Sequence, residues 1–224
     1  MLKRTSILLA AAVLTGCASE SPTPSGPVVP PPGAKVVDEK EPSINVQTRY
    51  AAGQLAESSE KWENAIAQYK EALKLNPTHE PTLYRLGVVY AQIKDYDNAI
   101  ETWKSYITAT HDSANGYGNL GFCYELKGDP EQAEAAYKKG ITREAKNEVC
   151  QVNYGLMLAR LGRTNEALVH FQTVLTPAAA HYNLGSVYEQ QKKPAQAKLE
   201  YTRALECDPT FFDAQARLAS IDGN

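Results

Sequence analysis

The sequence is poor in the residues on which metal binding and catalysis most often depend. Among its 224 residues there are four histidines and four cysteines. His79 and His111 fall in connections between predicted helices. His170 and His181 have no His, Cys or Asp at a sequence spacing that would let two side chains bind one metal ion. Phosphate-cradling glycine loops and serine elbows are also missing. We therefore expect a protein that is not an enzyme and that carries no metal and no cofactor.

Long hydrophobic runs and a strong net charge are missing too. The apolar run from Ile7 to Leu14 has eight residues, whereas a transmembrane helix needs about 20. A net charge of -3 offers no sequence-wide attraction to nucleic acid or to anionic lipid. With 43% hydrophobic and 22% charged residues, the composition is that of an ordinary globular protein.

The N-terminus is typical of an export signal, because Lys3 and Arg4 precede the apolar run and small residues follow it. The segment Leu14-Thr15-Gly16-Cys17 resembles the lipobox of bacterial lipoproteins. The resemblance implies that residues 1–16 are removed and that Cys17 becomes a lipidated N-terminus. Several acyl chains, such as palmitate, would then hold the protein durably to a membrane. The alternative is an ordinary signal peptide that is cut nearby, with Cys17 incidental.

The resemblance also bears on location. Ala18 and Ser19 stand where an aspartate marks inner-membrane retention in enterobacteria, which favours the outer membrane, facing the periplasm. Loss of Lys3 and Arg4 with the signal takes the net charge from -3 to -5.

Residues 17–44 are expected to form the lipid anchor and a proline-rich linker. Seven of the thirteen prolines lie here: Pro22, Pro24, Pro27, Pro30, Pro31, Pro32 and Pro42. Proline fixes φ and removes backbone donors, so the stretch favours extended polyproline II conformations without a core of its own. The linker is either a spacer alone or a spacer with a recognition role.

Residues 45–224 repeat themselves, with three sets of residues recurring at separations of 34, 34, 34 and 30. The glycines are Gly53, Gly87, Gly121, Gly155 and Gly185. The alanines are Ala65, Ala99, Ala133, Ala167 and Ala197. The aromatic residues are Tyr69, Trp103, Tyr137, Phe171 and Tyr201.

This period, with Leu86-Gly87 before Tyr90 and Leu120-Gly121 before Tyr124, resembles the tetratricopeptide repeat. The resemblance implies an all-α fold, a right-handed superhelix of five helix pairs with a C-terminal capping helix. The repeats would cover residues 46–79, 80–113, 114–147, 148–177 and 178–211, and the cap residues 212–222. Within each pair we expect the Gly and Ala to let the two backbones approach closely, and the aromatic ring to fill the gap to the next pair.

The fourth repeat is short, because Phe171 and Gly185 are 14 residues apart where the other repeats have 18. We expect the end of its second helix to lack one turn and Thr176-Pro177 to begin the next helix. A local change in superhelical twist would follow at residues 172–180. The change in twist could form a functional groove, or it could be a sequence change that the protein tolerates without a functional role.

The remaining cysteines, Cys123, Cys150 and Cys207, fall where the family consensus has buried residues, so we expect them to pack in the core. A disulfide between Cys123 and Cys150 is not expected, since an axial offset of roughly 10 Å between them exceeds the reach of a bridge.

The predicted binding surface is the inner face of the superhelix, which this family forms mainly from the first helix of each pair. Asn119, Asn153 and Asn183 fall at one place in three consecutive repeats, like the asparagine ladders that grip an extended peptide. Alternatively, asparagine at this place bonds to a neighbouring turn. Other residues expected to contribute are Tyr50, Tyr84, Arg85, Phe122, Arg160 and Tyr182.

We therefore predict a membrane-anchored adaptor of the cell envelope that binds an extended peptide or helix of partner proteins. In layout it resembles small repeat lipoproteins that assemble pili or secretion systems. The lysine pairs that clamp chaperone tails are missing, with Tyr50, Tyr84, Gly118, Val152 and Tyr182 in their places. An adaptor that recruits cell-wall hydrolases is the alternative, and an enzyme with an unrecognised site is a third reading.

Overall fold

The computed structural model describes residues 44–223, and within this range the chain is entirely helical between its turns. The predicted signal peptide, Cys17 and the linker up to residue 43 lie outside the described residues. Eleven helices are found within the range: α1 (Val46–Ser58), α2 (Trp62–Leu75), α3 (Glu80–Gln92), α4 (Tyr96–Ala109), α5 (Ala114–Lys127), α6 (Pro130–Arg143), α7 (Glu148–Arg160), α8 (Thr164–Val174), α9 (Pro177–Gln190), α10 (Pro194–Cys207) and α11 (Phe212–Asp222).

The helices pack as five consecutive pairs, α1 with α2 through α9 with α10, followed by α11. The predicted superhelix of tetratricopeptide repeats is confirmed. Local capping residues explain the boundary between α5 and α6. Gly128 ends α5 in the left-handed region at φ 87°, where glycine carries no steric penalty, and the Asp129 side chain then accepts from the backbone N–H of Gln132 at the start of α6.

Each pair is built around an aromatic ring that fills a notch left by the glycine of the same pair. A Cβ added to Gly121 would lie 2.7 Å from a ring carbon of Tyr137, and the other four pairs show the same contact. All five rings are buried, with at most 1% of their surface exposed. The ring thus fills a notch in its own pair as well as contacting the next one, where Tyr137 stacks on Tyr154 of α7 with 5.7 Å between ring centroids.

The fourth pair is shorter, as predicted. α8 has 11 residues where the other second helices have 14, and Leu175 is extended. The Thr176 side chain then caps α9, with Pro177 in its first turn. The predicted change in twist at residues 172–180 stays a prediction.

At the C-terminal end, α11 packs through Ala214, Leu218 and Ile221 against the fifth pair, as a cap should. Phe212 points away, with 76% of its surface exposed.

The three cysteines of the described range are free. Cys123 and Cys150 are buried, as predicted, and burial raises the pKa of each thiol to about 12. The prediction was wrong for Cys207, which is exposed as the last residue of α10. None of the helices between residues 44 and 223 has the length and apolarity needed to span a bilayer.

Candidate functional site

A small groove lies near the N-terminal end of the repeats, on the face formed by the first helices of the pairs, which we call the first-helix face. It has a volume of about 280 Å³ and is lined by Tyr50, Glu80, Pro81, Tyr84, Arg85 and Tyr106. We call this set the tyrosine groove. It unites three of the predicted binding residues, Tyr50, Tyr84 and Arg85, with three that the sequence analysis did not name.

The groove is held open by aromatic packing. Tyr84 is 37% exposed, and its ring packs edge-on against Trp103 at 5.3 Å and against Tyr106 at 5.7 Å between ring centroids. Such edge-to-face pairs fix ring orientation as well as burying area. Tyr50 is half-buried and contacts the rings of Tyr69 and His79. The tyrosines are therefore preorganised by the core beneath them.

Tyr106 has room because of a glycine on the next helix. A Cβ on Gly116 would lie 3.0 Å from a ring carbon of Tyr106 and 2.7 Å from Ile107. In the first, third and fifth repeats the place of Tyr106 is held by Ala72, Gly140 and Ala204. The unusually large residue at a small-residue place is the sequence signal that would have identified Tyr106.

Arg85 is bound within the protein itself. Its Nε and Nη2 donate to the two carboxylate oxygens of Glu57 at 3.0 and 2.6 Å, and Tyr69 Oη donates to the same carboxylate at 2.7 Å. Although burial opposes its charge, Glu57 raises the pKa of Arg85. Burial first, and the Glu57 carboxylate second, raise the pKa of Tyr69. Arg85 therefore positions α3 against the first pair and has little capacity left for a ligand anion.

This Tyr, Glu and Arg network recurs in alternate pairs. In the third pair Tyr137 donates to Glu125, which also binds Arg160 of α7. In the fifth pair Tyr201 donates to Glu189 at 2.7 Å, and Arg217 of α11 lies 3.5 Å from the same carboxylate. The second and fourth pairs have alanine in place of the glutamate, Ala91 and Ala159, and Trp103 and Phe171 in place of the tyrosine.

The predicted asparagine row lies on α5, α7 and α9, first helices that pack successively on one another. All three asparagines are half-buried. Asn183 donates to the carbonyl of Ala179 at 2.9 Å, one turn earlier in its own helix, which is the alternative role we considered. Within the described range, the side chains of Asn119 and Asn153 make no hydrogen bond to the protein, so their amides stay available.

The other predicted binding residues are spread along the solenoid. Phe122 is half-buried on α5, and Arg160 is engaged by Glu125. Tyr182 packs against Tyr201 and Phe211 at 5.5 and 5.4 Å between ring centroids, beside the capping helix. These residues do not join the tyrosine groove.

A metal-binding cluster of three or more His, Cys, Asp or Glu side chains is not found among residues 44–223. Two of the histidines instead pair with a side chain on the other helix of their repeat. His170 Nδ1 lies 2.7 Å from Gln151 Oε1, and burial lowers its pKa. His181 Nδ1 lies 2.8 Å from Glu200, which also binds Arg203. These pairs link the two helices of a repeat.

Comparison with known families agrees with this architecture. A "TPR repeat" profile matches residues 53–94, and three further tetratricopeptide repeat profiles match residues 82–109, 114–147 and 178–211. These four matches do not include residues 148–177, the short fourth repeat.

Among curated proteins, the chain is 31% identical over 110 residues to the small glutamine-rich tetratricopeptide repeat-containing protein 2 of Saccharomyces cerevisiae, covering 49% of the chain and 32% of that protein. It is 29% identical over 127 residues to the type IV pilus assembly protein PilF of Pseudomonas aeruginosa, covering 54% of the chain and 50% of that protein. The chain thus matches half or less of each relative's length.

Among solved structures, the fold is similar to TTC0263, a thermophilic TPR protein of Thermus thermophilus. The TM-score is 0.58 at 23% identity, covering 79% of this chain and 98% of that one. It is also similar to YrrB, described as a TPR protein with an unusual peptide-binding site. There the TM-score is 0.52 at 22% identity, covering 77% and 91%. At these identities the likeness concerns the fold alone.

Proposed function

This chain is a tetratricopeptide-repeat protein, and we propose that it is a lipid-anchored adaptor of the cell envelope whose first-helix face binds an extended segment of a partner protein. The observation that carries the proposal is the tyrosine groove. It places three partly exposed tyrosines on one face, and aromatic residues are enriched where binding energy concentrates. A rigid aromatic wall loses little side-chain entropy when a partner binds.

The two unpaired asparagines extend this surface toward the C-terminus. Asn119 and Asn153 sit on neighbouring first helices, and each amide can both donate to and accept from a peptide backbone. A segment that begins in the tyrosine groove and continues along these helices would combine side-chain and main-chain recognition.

A role in assembling pili or a secretion system is favoured by the similarity to PilF, whose name describes type IV pilus assembly. The lipobox-like segment ending at Cys17 supports an envelope location. The YrrB likeness adds that this fold accommodates a peptide-binding site.

The proposal is tested by crosslinking and capture from intact envelopes with the wild-type chain and two variants. Replacing Asn119 and Asn153 by alanine, together with Asn183, should weaken capture while helicity by circular dichroism is unchanged. Replacing Val169, which is 65% exposed on α8, by serine should leave capture intact and serves as the control. Recovery of pilus or secretion components supports the proposed role, whereas recovery of cell-wall hydrolases would support the alternative. Equal capture by the asparagine variant would remove the row from the site.

The anchor is tested separately. The Cys17→Ser variant should leave the membrane fraction for the soluble fraction, because it cannot be acylated. Continued sedimentation of this variant with membranes would refute the lipid anchor but not the adaptor role.

A further inference from the structure

The tyrosine groove has the size of a subsite for side chains. Its volume of about 280 Å³ lies just below the roughly 300 Å³ at which pockets for small molecules begin. It is open on the first-helix face and is bounded by Tyr50, Tyr84 and Tyr106. One or two side chains of a bound segment would fill it.

The charge of the groove is set by Glu80, because Arg85 is neutralised. The Glu57 carboxylate accepts hydrogen bonds from Nε and Nη2 of Arg85, so the charge of Arg85 is compensated inside the protein. Glu80 is exposed and forms no ion pair within the range 44–223. The uncompensated charge at the groove is therefore negative.

Tyrosine faces and a carboxylate together select for a cation. The ring face of tyrosine carries negative potential, and a cation within about 6 Å of the ring centre is attracted to it. The chain already uses this contact twice within the described residues, with Lys70 over Tyr90 at 5.8 Å and Lys193 over Tyr188 at 5.9 Å. An acidic side chain would instead meet Glu80 with Arg85 already occupied.

We infer that the tyrosine groove binds a lysine or arginine side chain of the partner segment, with the cation between the tyrosine rings and the Glu80 carboxylate. This inference rests on the proposed function, since it names the chemistry that the first-helix face recognises. Asn119 and Asn153 would then hydrogen-bond to the backbone of the segment. One basic residue in the tyrosine groove would fix the position of the segment along the repeats.

The inference is tested by NMR titration of the full chain with three probes, N-acetyl-arginine amide, N-acetyl-leucine amide and N-acetyl-glutamate amide. The arginine probe should shift signals of Tyr84 and its neighbours with a Kd of a few millimolar, as expected for about 4 kcal/mol of binding or less. The leucine and glutamate probes should bind at least about fivefold more weakly. Equal shifts from the leucine probe, or arginine-induced shifts confined to other surfaces, would overturn the inference.

Glu80→Gln should weaken the arginine probe about threefold to fivefold, the effect of losing one exposed ion pair of up to about 1 kcal/mol. Glu148→Gln is the matched control, because Glu148 is the exposed first residue of α7 and has Val152 one turn on where Glu80 has Tyr84. The control should leave the affinity unchanged. An equal loss in both variants would show a nonspecific charge effect and contradict the inference.

Partner capture separates the two proposals. If Tyr84→Ala abolishes capture but the probes show no preference for arginine, the adaptor role stands and the basic-residue inference fails. If capture from envelopes fails with every form of the protein, including the wild type, the adaptor role itself is refuted.

Discussion

The first, third and fifth helix pairs differ from the second and fourth in how their central ring is held. All five rings fill the glycine notch of their own pair. In the odd pairs the ring is a tyrosine whose hydroxyl donates to a glutamate, and that glutamate binds an arginine of the helix that follows the pair, which is α3, α7 or α11. In the even pairs the hydroxyl, glutamate and arginine are all missing, and the indole N–H of Trp103 has no hydrogen-bond acceptor within the described range. Apolar packing thus makes each pair, and the polar network connects alternate pairs to their successors.

The largest effect should come from removing the ring, which both kinds of pair share. Phe171→Ala and Tyr137→Ala should each lower the free energy of unfolding by about 3 to 5 kcal/mol, because each opens a cavity against a glycine that cannot fill it. Tyr137→Ala should cost more, since it also leaves Glu125 without its hydroxyl partner. Urea denaturation of both variants checks the order. A cost at Phe171 no larger than that of a surface substitution, within about 0.5 kcal/mol of zero, would mean that the ring does not hold the pair together.

Removing the glutamate should affect only an odd pair. Glu125→Ala should cost about 2 kcal/mol, because it leaves the Tyr137 hydroxyl buried and the Arg160 guanidinium partly buried without a partner. Part of the guanidinium stays in water, which keeps the cost below that of a fully buried pair. Urea denaturation of Glu125→Ala measures this cost. Glu131→Ala, a change at an exposed residue of α6, serves as the control. Equal stabilities would show that the network contributes nothing.

Building the polar network into the fourth pair tests whether the network is transferable. Phe171→Tyr alone should cost about 1 kcal/mol, because it buries a hydroxyl beside Ala159 without an acceptor. Ala159→Glu and Gln190→Arg would supply the equivalents of Glu125 and Arg160. The triple variant should have a free energy of unfolding about 1 kcal/mol higher than the sum of the three single changes predicts. A strictly additive triple variant would contradict a transferable network.

The smallest effect concerns acid stability in the third pair, where two carboxylates shift in opposite directions. Hydrogen bonds from Lys138 and Tyr154 lower the pKa of Glu134 to about 2, whereas burial raises the pKa of Glu125. The Glu134 contribution is therefore complete above its unfolded pKa near 4.5 and is lost as the pH falls toward 2. The raised pKa of Glu125 has the opposite effect on stability, because the folded state binds a proton at Glu125 more readily than the unfolded state does.

Glu134→Gln should consequently flatten the loss of stability between about pH 4.5 and pH 2, and Glu125→Gln should not. Thermal denaturation across this pH range distinguishes the two variants. An unchanged acid profile in Glu134→Gln would mean that exposure to water cancels the shift.

Much of the fold could be read from the sequence, because a repeat multiplies each signal. The Gly, Ala and aromatic series predicted the helix pairs, and the shortened spacing before Gly185 predicted the lost turn of α8. The partner of each ring could not be read in the same way. Spacing places a ring on a helix face, but it does not show that the glycine notch of the same pair is where the ring fits.

The site was only partly predictable for the same reason. Tyr50, Tyr84 and Arg85 were expected on one face, yet Arg85 proves to be bound by Glu57, 28 residues earlier in the chain. Tyr106 was missed because it lies on a second helix and reaches the groove through the space at Gly116. The size of Tyr106 at a small-residue place could have indicated its role, whereas the Arg85–Glu57 contact depends on side-chain directions that the repeat period does not encode.

Site-specific photocrosslinking in intact cells shows whether the first-helix face is the surface that binds a partner. A photoreactive phenylalanine would replace exposed Gln54, which donates to Tyr50 beside the groove, or exposed Val169 on the outer side of α8. We expect a discrete partner adduct from position 54 and none from position 169. Adducts from position 169 with none from position 54 would contradict this expectation.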